Sequence, residues 1–297
     1  MTEHLTSTLK KLMAERRAVL VPGAFNALAA RTIADLGFEV VYVTGAGVTN
    51  GFLGAPDVGL ITLTEVADNV AAMRDAVEVP LIVDADTGFG NAVNVVRTVK
   101  VLERAGANAM QLEDQVFPKR CGHFAGKDVV PIEEMVQKIR AAADTRDRML
   151  IVARTDARAT HGYEAAVERA ERFVEAGADA VFIEAPRTLD EMRQLPQRIS
   201  APHFANLVVG GLTPILSRAE LQEMGFSIVL YANVVLQAAL LGMQNALKHL
   251  KAEGRLGEDL GLAASFLERQ RIVNKPHFDQ LEREYVTDFG HRPVAGA

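Results

Sequence analysis

The chain has no tryptophan, a single cysteine in 297 residues and only four tyrosines. One cysteine excludes an intrachain disulfide framework and agrees with a reducing compartment, so a cytoplasmic protein is expected. Residues Met1 to Arg17 carry interspersed charges and lack an apolar core followed by small residues, so neither a signal peptide nor a membrane span is expected. Positive charge is not in excess either: 32 Lys and Arg face 38 Asp and Glu, a net charge of -6, with no basic face or aromatic-interleaved patch. Nucleic acid is therefore not an expected partner.

Short apolar runs rich in Val, Ile and Leu are abundant. Eight can be counted: Val19 to Ala24, Val40 to Gly45, Leu81 to Asp86, Ala109 to Glu113, Leu150 to Thr155, Ala180 to Glu184, His203 to Leu207 and Ile228 to Ala232. Most are too continuously apolar for half-exposed strands and suit parallel strands covered on both faces. Helical patterns lie between them. Thr62 and Glu65 form a capping box ahead of Val66, Val70, Met73 and Val77, and Pro131 opens a helix through Met135 and Ile139. Leu36-Gly37, Ala105-Gly106, Ala176-Gly177 and Met224-Gly225 each close a helix just before a strand, where glycine supplies a left-handed turn. This alternation predicts an α/β fold of the (β/α)8 TIM-barrel type. The rival, an open doubly wound sheet, needs a glycine-rich phosphate turn after the first strand, which Pro22-Gly23-Ala24 does not supply. We expect a catalytic barrel over residues 1-254 and a helical arm over 255-297, patterned by Leu262, Phe266 and Leu267 and then by Phe278 and Leu281.

Polar residues fall where the strands end: Asp84 and Asp86 on the third, Glu113 on the fourth, Arg154 and Asp156 on the fifth, Glu184 on the sixth and Asn206 on the seventh. In a barrel these ends converge on the rim that carries active sites. Any one carboxylate there can simply cap the next helix, but a whole set of them points to chemistry. Asp84, Asp86 and Glu113, with no His or Cys at ligand spacing, suit a hard cation: Mg²⁺, or Mn²⁺ in its place. Such an ion stabilises developing negative charge. Arg154 is suited to a substrate carboxylate through its planar fork, with an ion pair to Glu184 as the competing role. The lone cysteine sits in Lys119-Arg120-Cys121-Gly122-His123. Cations on both sides favour a thiolate, so Cys121 reads as a proton-handling residue on a loop, against the alternative of an inert small hydrophobe.

Asp84-Ala85-Asp86-Thr87-Gly88-Phe89-Gly90, Glu113-Asp114-Gln115, the cysteine segment, and Ala153-Arg154-Thr155-Asp156-Ala157 together resemble the isocitrate lyase/phosphoenolpyruvate mutase superfamily, from about Val21 to about Gly254. The cysteine segment resembles the carbon-carbon lyase branch, with methylisocitrate lyases, dimethylmalate lyases and oxaloacetate hydrolases. It also resembles the carboxyphosphonoenolpyruvate mutase branch. The resemblance implies a 2-hydroxy acid whose carboxylate sits on Mg²⁺ and on the turn Thr44-Gly45-Ala46-Gly47, with Gly122, Arg154, Glu184 and Asn206 also at the substrate. Cys121 would protonate the carbanion, Lys119, Arg120 and His123 would support the thiolate and gather the anion, and Tyr42 would assist removal of the hydroxyl proton. Asp57, in Ala55-Pro56-Asp57, matches a family aspartate near the metal.

Two departures bear on the substrate. Methylisocitrate lyases carry a glutamate where this chain has Val209, and an arginine where it has Gln237. Losing a cation and gaining an apolar wall disfavours a third carboxylate, since an unpaired buried charge is costly. The expected substrate is thus a dicarboxylate such as an alkyl-substituted malate. The alternatives are a tricarboxylate (methylisocitrate), oxaloacetate hydrolysis, carboxyvinyl-carboxyphosphonate rearrangement, or a non-catalytic metabolite-binding barrel. Family members commonly exchange their last helices and form dimers of dimers, so a homotetramer with a swapped arm is expected, against an arm folded on its own barrel.

Overall fold

The structure is a computed structural model that describes residues 2-120, 126-208 and 210-286. Cys121, Gly122, His123 and Val209 lie outside the described residues. Two compact units are present, Met1–Leu241 and Gly242–Ala297.

The first unit is a closed barrel of eight parallel strands in sequential order. The strands are β1 (Val19–Ala24), β2 (Val41–Val43), β3 (Leu81–Asp84), β4 (Ala109–Glu113), β5 (Leu150–Thr155), β6 (Ala180–Ile183), β7 (His203–Asn206) and β8 (Ile228–Tyr231). Helices alternate with them, which is the (β/α)8 arrangement. The expected capping box forms at Thr62, whose hydroxyl accepts from the Glu65 amide while the Glu65 carboxylate accepts from the Thr62 amide. Pro131 stands at the N-cap of the helix Ile132–Thr145 rather than in its first turn. Gly37, Gly106, Gly177 and Gly225 adopt φ of 81°, 102°, 107° and 93°, the left-handed region that ends each helix without a Cβ clash.

The period-two alternation of the strands decides where each side chain goes. Val19, Val21, Tyr42, Ile82, Ala109, Val152, Phe182, Phe204 and Leu230 point inward and fill the barrel, and Leu9, Leu12 and Met13 of the helix Thr2–Ala14 join the same cluster. One step further along each strand, the same parity carries Thr44, Asp84, Gln111 and then Glu113, Arg154, Glu184 and Asn206 to the C-terminal rim. The opposite parity, with Val41, Val43, Leu81, Val83, Met110, Leu112, Ile151 and Ala153, packs on the surrounding helices.

The second unit holds the last turns of the helix Val234–Glu253 and the helices Phe266–Ile272 and Lys275–Tyr285. None of its described residues is buried, and Phe266, Leu267 and Phe278 are exposed. Among the described residues no helix is long and apolar enough to cross a membrane.

Candidate active site

Eleven of the residues expected at the site surround one cavity of about 40 Å³ at the rim: Tyr42, Thr44, Ala46, Asp57, Asp84, Glu113, Lys119, Arg120, Arg154, Glu184 and Asn206. Phe182, Val208, Leu230, Ala232 and Asn233 complete its wall. Gly45 and Gly47 lie in the turn behind it. Thr44 caps the short helix Gly45–Val48 by accepting from the Gly47 amide, and the Gly45 amide donates to Asp84 Oδ2 at 3.2 Å. A Cβ on Gly45 would stand 3.0 Å from Asp84 Oδ2 and 3.2 Å from Asp86 Oδ1, so a side chain there would crowd both carboxylates.

The three carboxylates expected to hold a metal do converge on this region, but not as a ready cage. Among the described residues no group of three or more His, Cys, Asp or Glu stands at metal-binding spacing. Each carboxylate has turned to a local partner instead. Asp84 Oδ1 accepts from Gln111 Nε2 at 3.1 Å, Asp86 pairs with Lys119 at 2.8 Å, and Glu113 Oε2 pairs with Arg154 at 3.3 Å. Lys119 Nζ, which also pairs with Asp57, is the cation that stands in among them.

Electrostatics nevertheless leave room for a divalent ion. Six carboxyl groups, Asp57, Asp84, Asp86, Glu113, Asp156 and Glu184, accompany four cations, Lys119, Arg120, Lys127 and Arg154, so that with all six ionised one divalent cation would balance the charge. Burial pushes Asp86 up to about 7, with the nearby Asp84 adding to the shift and Lys119 opposing it. Burial also raises Glu113 well above the usual carboxylate range, and its Oε1 is buried without a hydrogen-bond partner among the described residues. An acidic, oxygen-only donor set starved of positive charge fits Mg²⁺. Burial works against the Lys119 ammonium, but Asp86, Glu113 and Asp84 outweigh it and hold that ammonium charged.

Arg154 departs from its expected role. Its Nε and Nη2 donate to Asp156 at 2.9 and 3.2 Å, so the planar fork is engaged within the protein, and Nη1 and Nη2 approach Glu113 and Glu184 at 3.3 and 3.5 Å. With Nε and Nη2 spent on Asp156, Nη1 is the nitrogen with an N–H to spare for a ligand. The guanidinium also lies over the Phe182 ring, 5.2 Å from its centroid. Tyr42 is engaged as well. Its buried phenol donates to Gln111 Oε1 at 2.9 Å, and burial, with Asp84 adding to it, raises its pKa well above the usual phenol value. Asn206 Nδ2 reaches Glu184 at 3.4 Å, and Asn206 Oδ1 is buried without a hydrogen-bond partner among the described residues.

Several residues that organise the site were not legible as such. Gln111 links Tyr42 to Asp84, its register neighbour on β3. An amide two residues before Glu113, on the inward face of an apolar strand, was the available signal. Asp114 and Thr155 have the outward parity, and Asp114 gathers the Thr155 hydroxyl at 2.7 Å, the Asp156 amide at 2.9 Å and Arg169 at 3.0 Å. Lys127 Nζ donates to Asp156 at 2.6 Å, which makes Asp156 the shared anion of two cations. Their pull overcomes burial and lowers the pKa of Asp156.

A closed (β/α)8 barrel whose C-terminal rim gathers buried carboxylates beside an arginine has the architecture of a barrel enzyme. The phosphoenolpyruvate phosphomutase family model matches residues 9–251, and the chain belongs to that family, within the PEP mutase/isocitrate lyase superfamily. It is 43% identical over 286 residues to the 2,3-dimethylmalate lyase of Eubacterium barkeri, covering 96% of this chain and 99% of that one. It is 47% identical over 246 residues to the 2-methylisocitrate lyase of Aeropyrum pernix, covering 83% and 80%. Among solved structures, that of a 2,3-dimethylmalate lyase superposes with a TM-score of 0.89 at 33% identity over 96% of both chains. The chain is an enzyme of this superfamily, grouped by these relatives with its carbon-carbon lyases.

Proposed function

We propose that the protein is a Mg²⁺-dependent lyase that splits a 2-hydroxy dicarboxylate, an alkyl-substituted malate, into a 2-oxo acid and a carboxylate. The supporting observation is the match in both directions along almost the whole length of a 2,3-dimethylmalate lyase, combined with a rim whose acidic residues lack compensating charge. Asp84, Asp86 and Glu113 would hold Mg²⁺, which when bound supplies electrostatic stabilisation of the oxygen atoms on which charge develops. The substrate hydroxyl gives up its proton to the carboxylate-lined wall as the C2–C3 bond breaks, so that C2 becomes the carbonyl carbon of the 2-oxo acid. The bonding pair passes to C3 as an enolate-like carboxylate. Cys121 then donates its proton to C3 and is left as a thiolate, which Lys119, Arg120 and His123 support. Arg154, fixed by Asp156, offers its remaining N–H to a substrate carboxylate. Phe182, Val208, Leu230 and Ala232 line the cavity with apolar surface for the alkyl group.

Higher identity to a 2-methylisocitrate lyase, over a shorter stretch, supports a second reading with a tricarboxylate. The two are separated by assaying 2-oxo acid release from a panel of alkylmalates and methylisocitrate. Replacing Cys121 with Ser is expected to lower turnover by at least 100-fold while Mg²⁺ binding, followed by calorimetry, stays intact. Equal slow background in both proteins points to a non-catalytic metabolite-binding barrel instead. We also infer a homotetramer, in which a second copy covers the unburied helices of Gly242–Ala297. Light scattering that gives the mass of one chain contradicts it.

A further inference from the structure

A second, larger cavity lies outside the barrel wall. It is a groove of about 680 Å³ between the helices Leu63–Ala76, Ala92–Ala105 and Ile132–Thr145, and it shares no lining residue with the rim cavity. Its size is that of an ordinary small-molecule site. Leu60, Phe89 and Phe117 give it apolar walls, and Leu60 and Phe117 are 52% and 64% exposed although they border it.

Its polar side is unusual. Lys138 is 4% exposed, yet among the described residues its ammonium makes one hydrogen bond, to the Thr87 carbonyl at 3.2 Å. Glu134, itself 48% exposed on the side chain, forms an i,i+4 ion pair with it at 3.7 Å. An ammonium has three donors, and a buried one left short of acceptors is costly, which agrees with the downward pull of burial on its pKa. Arg97, exposed on the same groove, makes no side-chain hydrogen bond or ion pair among the described residues. Two cations against one carboxylate, beside apolar walls, leave the polar side net positive, the complement of an amphipathic anion.

We propose that this groove is a second binding site, separate from the barrel mouth, for a small aliphatic carboxylate whose head meets Lys138 and whose chain lies on Leu60, Phe89 and Phe117. Its position gives the occupant a route to the rim. Lys138 holds the carbonyl of Thr87, the residue after Asp86, and the segment continues through left-handed turns at Asp86, Gly88 and Phe89, with φ of 46°, 91° and 59°. Gln115, also on the groove wall, both accepts from the Arg120 amide and donates to the Arg120 carbonyl, at 2.9 and 2.8 Å.

Isothermal titration of the full-length protein with sodium hexanoate tests this. One hexanoate per chain is expected, with at least tenfold weaker binding in Lys138→Met, which keeps the apolar stem, and in Thr64→Trp, which fills the groove from an exposed position. Arg154→Met should leave that binding unchanged, and 1-hexanol should bind at least tenfold more weakly than hexanoate. The proposal is overturned if the wild-type chain shows no binding at millimolar hexanoate or if either groove variant binds like wild type. It is equally overturned if the loss appears in Arg154→Met, which would place the ligand in the barrel mouth, or if the alcohol binds as well as the acid.

Discussion

Replacing Asp156 with Asn removes one charge and almost no volume at a position that is fully buried. In the native protein that carboxylate receives the Arg154 fork at 2.9 and 3.2 Å and Lys127 at 2.6 Å. The amide oxygen of Asn can still accept from one of these donors, but two buried cations lose their common counter-charge. Breaking a buried ion pair by removing one partner costs about 3–5 kcal/mol, and the retained acceptor places this case near ~3 kcal/mol. The functional loss has a separate origin. Without its fork partner, Arg154 is left to Glu113 and Glu184, and a displacement on the order of 1 Å at a substrate-orienting group lowers kcat/KM by about 100-fold. Urea unfolding reads the first effect and steady-state release of 2-oxo acid reads the second. An Asn variant that unfolds within about 1 kcal/mol of the wild type, with kcat/KM unchanged, refutes the view that Asp156 sets the position of Arg154.

Two further predictions concern other parts of the barrel. His203, buried at the start of β7 with Nε2 2.9 Å from the Ile199 carbonyl, has its pKa lowered to about 4 by burial. Unfolded His titrates near ~6.5, so between these values the unfolded chain binds the extra proton and stability falls as the pH drops from about 6.5 towards 4. Comparing urea unfolding at two pH values should show His203→Gln losing about 2.5 kcal/mol less than the wild type between pH 7.5 and 4.5; equal losses contradict it. Gly45→Ala puts a methyl group against Asp84 and Asp86 and should weaken Mg²⁺ binding at least tenfold by calorimetry, whereas unchanged affinity removes the turn from the proposed metal site.

The barrel could be read from the chain because its cues are local: apolar runs of strand length, helix caps, and left-handed glycines before strands. β1, β4 and β5 have the expected bounds, while β3 stops at Asp84 because Asp86 enters the left-handed region with φ of 46°. Strand parity also delivered the rim, since each polar residue two steps beyond an inward apolar one had to arrive there. Partnership was less visible. Nothing in Ala153-Arg154-Thr155-Asp156-Ala157 says that the arginine's fork closes on its own segment, because that choice depends on Lys127 and Asp114 arriving from the loop and strand next door. Gln111 was hidden in the same way, as its two bonds run to β2 and β3.

The most direct measurement is 2-oxo acid release by the purified protein from alkylmalates and from methylisocitrate, run with Mg²⁺ and then with a chelator. The account predicts turnover of an alkylmalate above that of methylisocitrate, abolished by the chelator and restored by added Mg²⁺. Release that persists in the chelator, no release from any of these acids, or preference for methylisocitrate would contradict it.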